Sequence, residues 1–106
     1  MNRMRHRSEE EIVADILSVI LDGAKKTHIM YQANLNYHLT KKYLGRLMER
    51  GLIKHDRAER IYMLTSVGRR FLEEYAEYKG IEKKLSSQAS LLEEKRGVLI
   101  QMLADD

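Results

Sequence analysis

The 106-residue sequence predicts a mostly α-helical chain with one β-hairpin. Three helices come first, then the hairpin, then a long C-terminal helix whose coiled-coil seam needs a partner. Three observations predict this order. Ile12, Val13, Ile16, Leu17, Ile20 and Leu21 recur at helical spacing, as do Leu39, Tyr43, Leu44, Leu47 and Met48. Two short strand candidates, residues 52–55 and 60–64, flank the polar link Asp56-Arg57-Ala58-Glu59. From Tyr78 onward, apolar positions alternate steps of three and four, which is the spacing of a heptad seam.

Each element carries its own start and stop signals. Ser8-Glu9-Glu10-Glu11 has the form of a capping box, with acids where the helix dipole favours them, and Gly23 supplies a stop. The first helix is therefore expected over residues 9–22. Thr27 is placed as the cap of a short second helix over 28–33, with Ile29 and Met30 turned inward. Asn34-Leu35-Asn36 reads as a turn, because Asn suits both a left-handed helix end and an N-cap. The third helix spans about 37–50. Gly51 follows as its left-handed stop, and Leu52 then reaches back toward Leu47. Thr65 caps the fourth helix and directs Val67, Phe71, Leu72 and Tyr75 to the core. In the tail, Tyr78, Ile81, Leu85, Gln88, Leu92, Lys95, Leu99 and Met102 form the seam. Gly80, Gly97 and the Ser-rich stretch 86–90 weaken the helix and mark a candidate break near Gly80.

Composition narrows the function. Residues 1–70 carry 14 Lys/Arg against 8 Asp/Glu, whereas residues 71–106 carry 5 against 8. The first part is a candidate polyanion-binding surface and the second is not. The chain has no Cys, which excludes disulfides, thiolate chemistry and zinc fingers. His6, His28, His38 and His55 are scattered, so no metal site or cofactor is expected. No phosphate loop or nucleophile elbow is present, and the acidic pairs read as helix faces, so the chain is read as a non-enzyme. No apolar run reaches the length of a membrane span, and a cytoplasmic location is expected. No residue set names a small-molecule effector.

The stretch Lys26-Thr27-His28-Ile29-Met30-Tyr31-Gln32-Ala33-Asn34-Leu35-Asn36-Tyr37 is followed by Tyr43-Leu44, Leu47 and Gly51-Leu52-Ile53. After these come Tyr62-Met63-Leu64-Thr65, Gly68, Phe71 and Leu72. Over about residues 8–78 this resembles the archaeal winged-helix family that includes the Sulfolobus 10a DNA-binding proteins. The resemblance implies a winged helix-turn-helix, dimerised by a long C-terminal helix that forms an antiparallel coiled coil. It also implies double-stranded DNA binding, in a chromatin (nucleoid-associated) or transcription-regulation role. The expected organisation is a basic arm at 1–7, a DNA-binding domain at 8–77 and a dimerisation helix at 78–106. Polar Gln88 and Lys95 depart from a clean seam and leave the register open.

In such a motif the N-terminal end of the second motif helix enters the major groove. Asn36, Tyr37, His38, Thr40, Lys41, Lys42 and Arg46 are the residues that this implies. Lys and Arg suit phosphates and guanine acceptors, and Asn, His and Thr suit base or backbone hydrogen bonds. Arg57 at the hairpin tip is a candidate wing contact; the alternative is a hairpin whose charges pair with one another. Arg3, Arg5 and Arg7 make the candidate arm, weighed against a disordered terminus. Two other functions stay open: a protein-interaction adaptor with no DNA contact, and RNA binding. The absence of a strand-borne aromatic platform speaks against RNA.

Overall fold

In a computed structural model, which describes residues 6–105, the chain divides after Tyr75 into two units. The element order of the first unit is the expected one. Helix α1 spans Glu9–Ile20, with the Ser8 hydroxyl accepting a hydrogen bond from the Glu11 N–H at 3.2 Å. It ends two residues earlier than the sequence suggests. Gly23 adopts φ +90 and its N–H donates to the Ile20 carbonyl at 2.7 Å.

Helix α2 is Lys26–Gln32, so it begins two residues before its expected start. Lys25 occupies the N-cap without a side-chain bond, and Thr27 lies inside the helix instead of capping it. The physical reason is an antiparallel bridge that the sequence did not signal. Ala24 N–H donates to the Tyr62 carbonyl at 3.0 Å and Tyr62 N–H returns to the Ala24 carbonyl at 2.8 Å. This pair fixes where the chain leaves the sheet and turns into α2.

Both left-handed helix stops fall where the residues place them. Asn34 has φ +56, with Asn34 N–H bonded to Tyr31 and Leu35 N–H to Met30. Helix α3, Tyr37–Glu49, starts on Asn36, whose side chain accepts from Leu39 N–H at 2.8 Å. It stops at Gly51 (φ +79), with Gly51 N–H on Met48 and Leu52 N–H on Leu47 at 3.0 and 2.9 Å. This is the Schellman pairing, in which two otherwise orphaned carbonyls are satisfied.

Strands β1 (Ile53–Asp56) and β2 (Ile61–Leu64) pair antiparallel, with Ile53 opposite Leu64 and Asp56 opposite Ile61. The connecting loop is therefore 57–60, one residue later than expected. Asp56 is drawn into the strand because its carboxylate accepts from Ala58 and Glu59 N–H at 3.0 and 3.2 Å. The core sits behind α1: Ile16, Leu17 and Ile20 are fully buried together with Ile29, Leu44 and Ile53. Burying side chains of this size contributes about 1.5–3 kcal/mol each.

Helix α4 runs Ser66–Leu103 and passes through Gly80 and Gly97 without a break. Thr65 caps it as expected, its hydroxyl accepting from Gly68 N–H at 3.1 Å and donating toward the Gly51 and Leu52 carbonyls. Phe71 and Leu72 pack on the core, but Val67 is half-exposed instead of buried. Gly68 is buried, and a Cβ there would stand 2.3 Å from the Leu52 carbonyl oxygen. The second unit, from Ala76 on, is the rest of this helix, and its described side chains are exposed.

Candidate nucleic-acid interface

Helix α3 buries Thr40, Leu44 and Leu47. At about 100° per residue the opposite line is His38, Lys42, Gly45 and Glu49, with Lys41 and Arg46 on its flanks. His38, Lys41 and Lys42 are exposed, and neither lysine forms an ion pair among the described residues. No Cβ projects from Gly45, and the space beside it is open. The N-terminal half of α3 thus presents two cations outside any ion pair among the described residues, and an imidazole, beside an unobstructed stretch of helix.

Three expected contact residues are otherwise engaged. Thr40 is completely buried and its hydroxyl donates to the Asn36 carbonyl at 2.8 Å, so it has no surface to offer. Arg46 pairs with Glu9 of α1, which draws its guanidinium off the exposed line of α3. The hydrogen bond and charge of Arg46, with a smaller contribution from Lys42, hold the Glu9 carboxyl below its usual range; Arg46 is raised in turn. Arg7 is not part of an arm. It bonds Asp15 at 2.8 Å, the Ala33 carbonyl at 2.8 Å and the Asn34 carbonyl at 2.9 Å, and its side chain is 17% exposed. It therefore fastens the segment before α1 to the turn between α2 and α3. Arg3 and Arg5 lie outside the described residues.

Asn36 acts as the N-cap, with its side-chain oxygen occupied by Leu39 N–H. Tyr37 is 60% exposed and carries Lys26 over its ring, the ammonium 4.5 Å from the centroid. Lys26 was not among the expected contacts. It comes from α2 to line, with Lys41, Gly45 and Tyr62, an open hollow of about 310 Å³ beside α3. The signal was present as Lys25-Lys26, but its neighbourhood depends on how α2 is placed. At the hairpin tip, Arg57 and Arg60 form no ion pair among the described residues, and the Asp56 oxygen that faces the loop is engaged by backbone amides. The self-paired alternative for the wing is therefore not what this hairpin adopts.

In the second unit the apolar seam residues Tyr78, Ile81, Leu85, Leu92, Leu99 and Met102 are between 48% and 76% exposed. Gln88 and Lys95 are exposed between them. Leu91 and Val98, which the seam omitted, are each 52% exposed on a flank of it. An apolar line of this extent in water is the mark of an interface. Among the described residues no three His, Asp or Glu side chains group as metal ligands. Nor is any helix among them long and apolar enough to cross a membrane.

Comparison with known proteins agrees with this geometry. Residues 6–83 match a family model described as winged helix-turn-helix. An uncharacterized protein of Methanocaldococcus jannaschii is 37% identical over 70 residues, which is 65% of this chain and 70% of that protein. The crystal structure of Sso10a-2, a DNA-binding protein from Sulfolobus solfataricus, superposes with a TM-score of 0.68 at 27% identity. The match covers 94% of this chain and all of that one.

Proposed function

The chain belongs to the winged helix-turn-helix family, and from that premise we propose that it is a non-enzymatic, dimeric protein that binds double-stranded DNA. It docks α3 in the major groove and joins two copies through the C-terminal helix. The observation that carries the reading is the exposed end of α3, where Lys41 and Lys42 form no ion pair among the described residues. The described DNA-binding activity of Sso10a-2 supports it. Arg57 on the wing supplies a further phosphate contact, and Lys26 is added beside Tyr37.

The same geometry favours contacts that tolerate sequence. With Thr40 buried and the Asn36 side-chain oxygen used as a cap, His38 and Tyr37 are the neutral side chains left exposed beside the lysines at the base-reading end. Lysine contacts to phosphate fix register on the duplex but carry no base information. A chromatin-type role therefore fits better than recognition of one operator.

Anisotropy binding to a mixed-sequence duplex across a salt series tests the proposal. Affinity is expected to fall steeply with salt, because each neutralised phosphate releases counterions. Lys41→Ala/Lys42→Ala is expected to weaken binding on every sequence and to flatten the log–log salt slope by about one unit per lysine engaged. Unchanged binding removes α3 as the docking element. No binding even at low salt supports a protein-interaction adaptor instead, and preference for structured RNA in competition supports the RNA reading.

A further inference from the structure

In the first unit a groove of about 340 Å³ opens between α1, α3 and the start of α4. Its floor is apolar. Val13 and Leu47 belong to the buried core, and Leu52 and Phe71 are half-buried beside them. Its rim is charged: α1 supplies Glu9 and Glu10, and the C-terminal end of α3 supplies Arg46 and Arg50, one helical turn apart. The volume lies at the lower end of the range for small-molecule sites, about 300–1,000 Å³, and an apolar lining with a few polar groups is their common make-up.

The four charges are not equivalent. Arg46 and Glu9 satisfy one another across the groove. Arg50 and Glu10 are exposed and form no ion pair among the described residues. An anion alone would meet Arg50 but stand against two carboxylates, and a cation alone would stand against two arginines. A ligand that carries both charges on one small head answers both walls, and an apolar side chain covers the floor. We propose that this groove binds a free α-amino acid with a large apolar side chain. Its carboxylate accepts from the Arg50 guanidinium, its ammonium donates to the Glu10 carboxylate, and its side chain lies on Val13, Leu47 and Phe71.

The walls are fixed before any ligand arrives. The Arg46–Glu9 pair ties α3 to α1. The Phe71 ring stacks on Tyr75, with centroids 6.4 Å apart and planes 8° from parallel, so it is a held surface. A guanidinium offers a planar fork of donors that matches a carboxylate. Both free charges are exposed to water, which screens them, so the apolar floor supplies most of the affinity and the charges supply the choice of ligand. The inference stands apart from the DNA reading: it needs only the groove of the first unit and is measured without DNA.

Backbone amide shifts of the full-length protein, followed by NMR as L-phenylalanine, L-leucine or glycine is added, test the site. The two large amino acids are expected to give saturable shifts centred on Glu10, Arg50 and Phe71, and glycine none at the same concentrations. 3-Phenylpropionate lacks the ammonium and phenethylamine lacks the carboxylate; each is expected to bind about five-fold or more weakly than L-phenylalanine. Arg50→Gln and Glu10→Gln each remove one rim contact and leave the Arg46–Glu9 pair in place. Each is expected to weaken L-phenylalanine by a similar factor, with the thermal midpoint of the ligand-free protein unchanged. Glu10→Gln should not weaken 3-phenylpropionate, a difference that a general loosening of the groove does not produce. Three results overturn the proposal: no saturable shifts with either large amino acid, shifts centred outside the groove, or 3-phenylpropionate binding as tightly as L-phenylalanine. The rival occupant is a second copy of the chain. In that case Arg50→Gln or Glu10→Gln lowers the mass seen by light scattering before any ligand is added, and the amino-acid site is overturned.

Discussion

Gly68 shows how a single residue can hold the fourth helix to the wing. Any Cβ at this position would stand 2.3 Å from the Leu52 carbonyl oxygen and 2.6 Å from Leu64 Cδ1. Backbone cannot yield as a flexible side chain does, so Gly68→Ala is expected to destabilise the first unit by about 2–3 kcal/mol. Gly80 is also helical, but nothing lies within 4 Å of its would-be Cβ. There the helix propensity gain of Ala, about 1 kcal/mol, is unopposed. Denaturant midpoints of the two variants should move in opposite directions, and a shared direction would refute the steric account. The Arg46–Glu9 pair gives a second prediction at this scale. Arg46 favours the charged carboxylate, so the pair stabilises the fold above the ordinary glutamate range and is lost as pH falls through the depressed value in the folded chain. Arg46→Ala should raise the Glu9 titration midpoint seen by NMR, and an unmoved midpoint sinks the assignment. Neither Arg7 nor Thr40 was legible in its role. The carbonyl partners of Arg7 lie 26 and 27 residues away. Thr40 is buried because its hydroxyl bonds the carbonyl four residues back, a local solution that a count of apolar residues does not register.

The legible elements are those whose ends are set by their own residues. Ser8, Asn36 and Thr65 cap helices with their side chains, and Asn34 and Gly51 take the left-handed positions that end them. Helix α2 was shifted because its start depends on a long-range pair, Ala24 with Tyr62, and the hairpin because the Asp56 carboxylate engages the amides of Ala58 and Glu59. Asn36 joins structure to function, since its cap fixes the end of α3 that faces DNA in the proposed docking. Asn36→Ala removes the acceptor for Leu39 N–H and is expected to cost about 1 kcal/mol. If Asn36 acts as a cap and not as a base reader, Asn36→Asp should keep the stability. Asn36→Ala should then weaken binding to all duplexes alike. A loss confined to particular sequences would make Asn36 a reader after all.

For the whole molecule, the proposed function raises the question of what two DNA-binding units would gain from being joined. In the proposed docking one unit supplies few cations: Lys41 and Lys42 on α3, Lys26 beside them and Arg57 on the wing. A handful of phosphate contacts gives weak binding at physiological salt. Linking two such units makes the second encounter intramolecular, and avidity rises without any new contact. The exposed apolar line of the tail was legible because heptad spacing survives as a one-dimensional pattern. The apolar flank at Leu91 and Val98 was not, because it has meaning only against a second helix. Leu85→Lys/Leu92→Lys places cations on that line while leaving the first unit's core untouched. The variant is expected to be monomeric by light scattering and to keep the thermal unfolding of its first unit. Its DNA affinity is expected to fall by about a hundred-fold, within the range that linkage of two sites provides. Its salt slope should roughly halve as one unit's phosphates drop out. Lost mass with undiminished DNA binding would mean that a single unit suffices. The stalk would then serve to bring separate duplexes together, not to strengthen the grip on one.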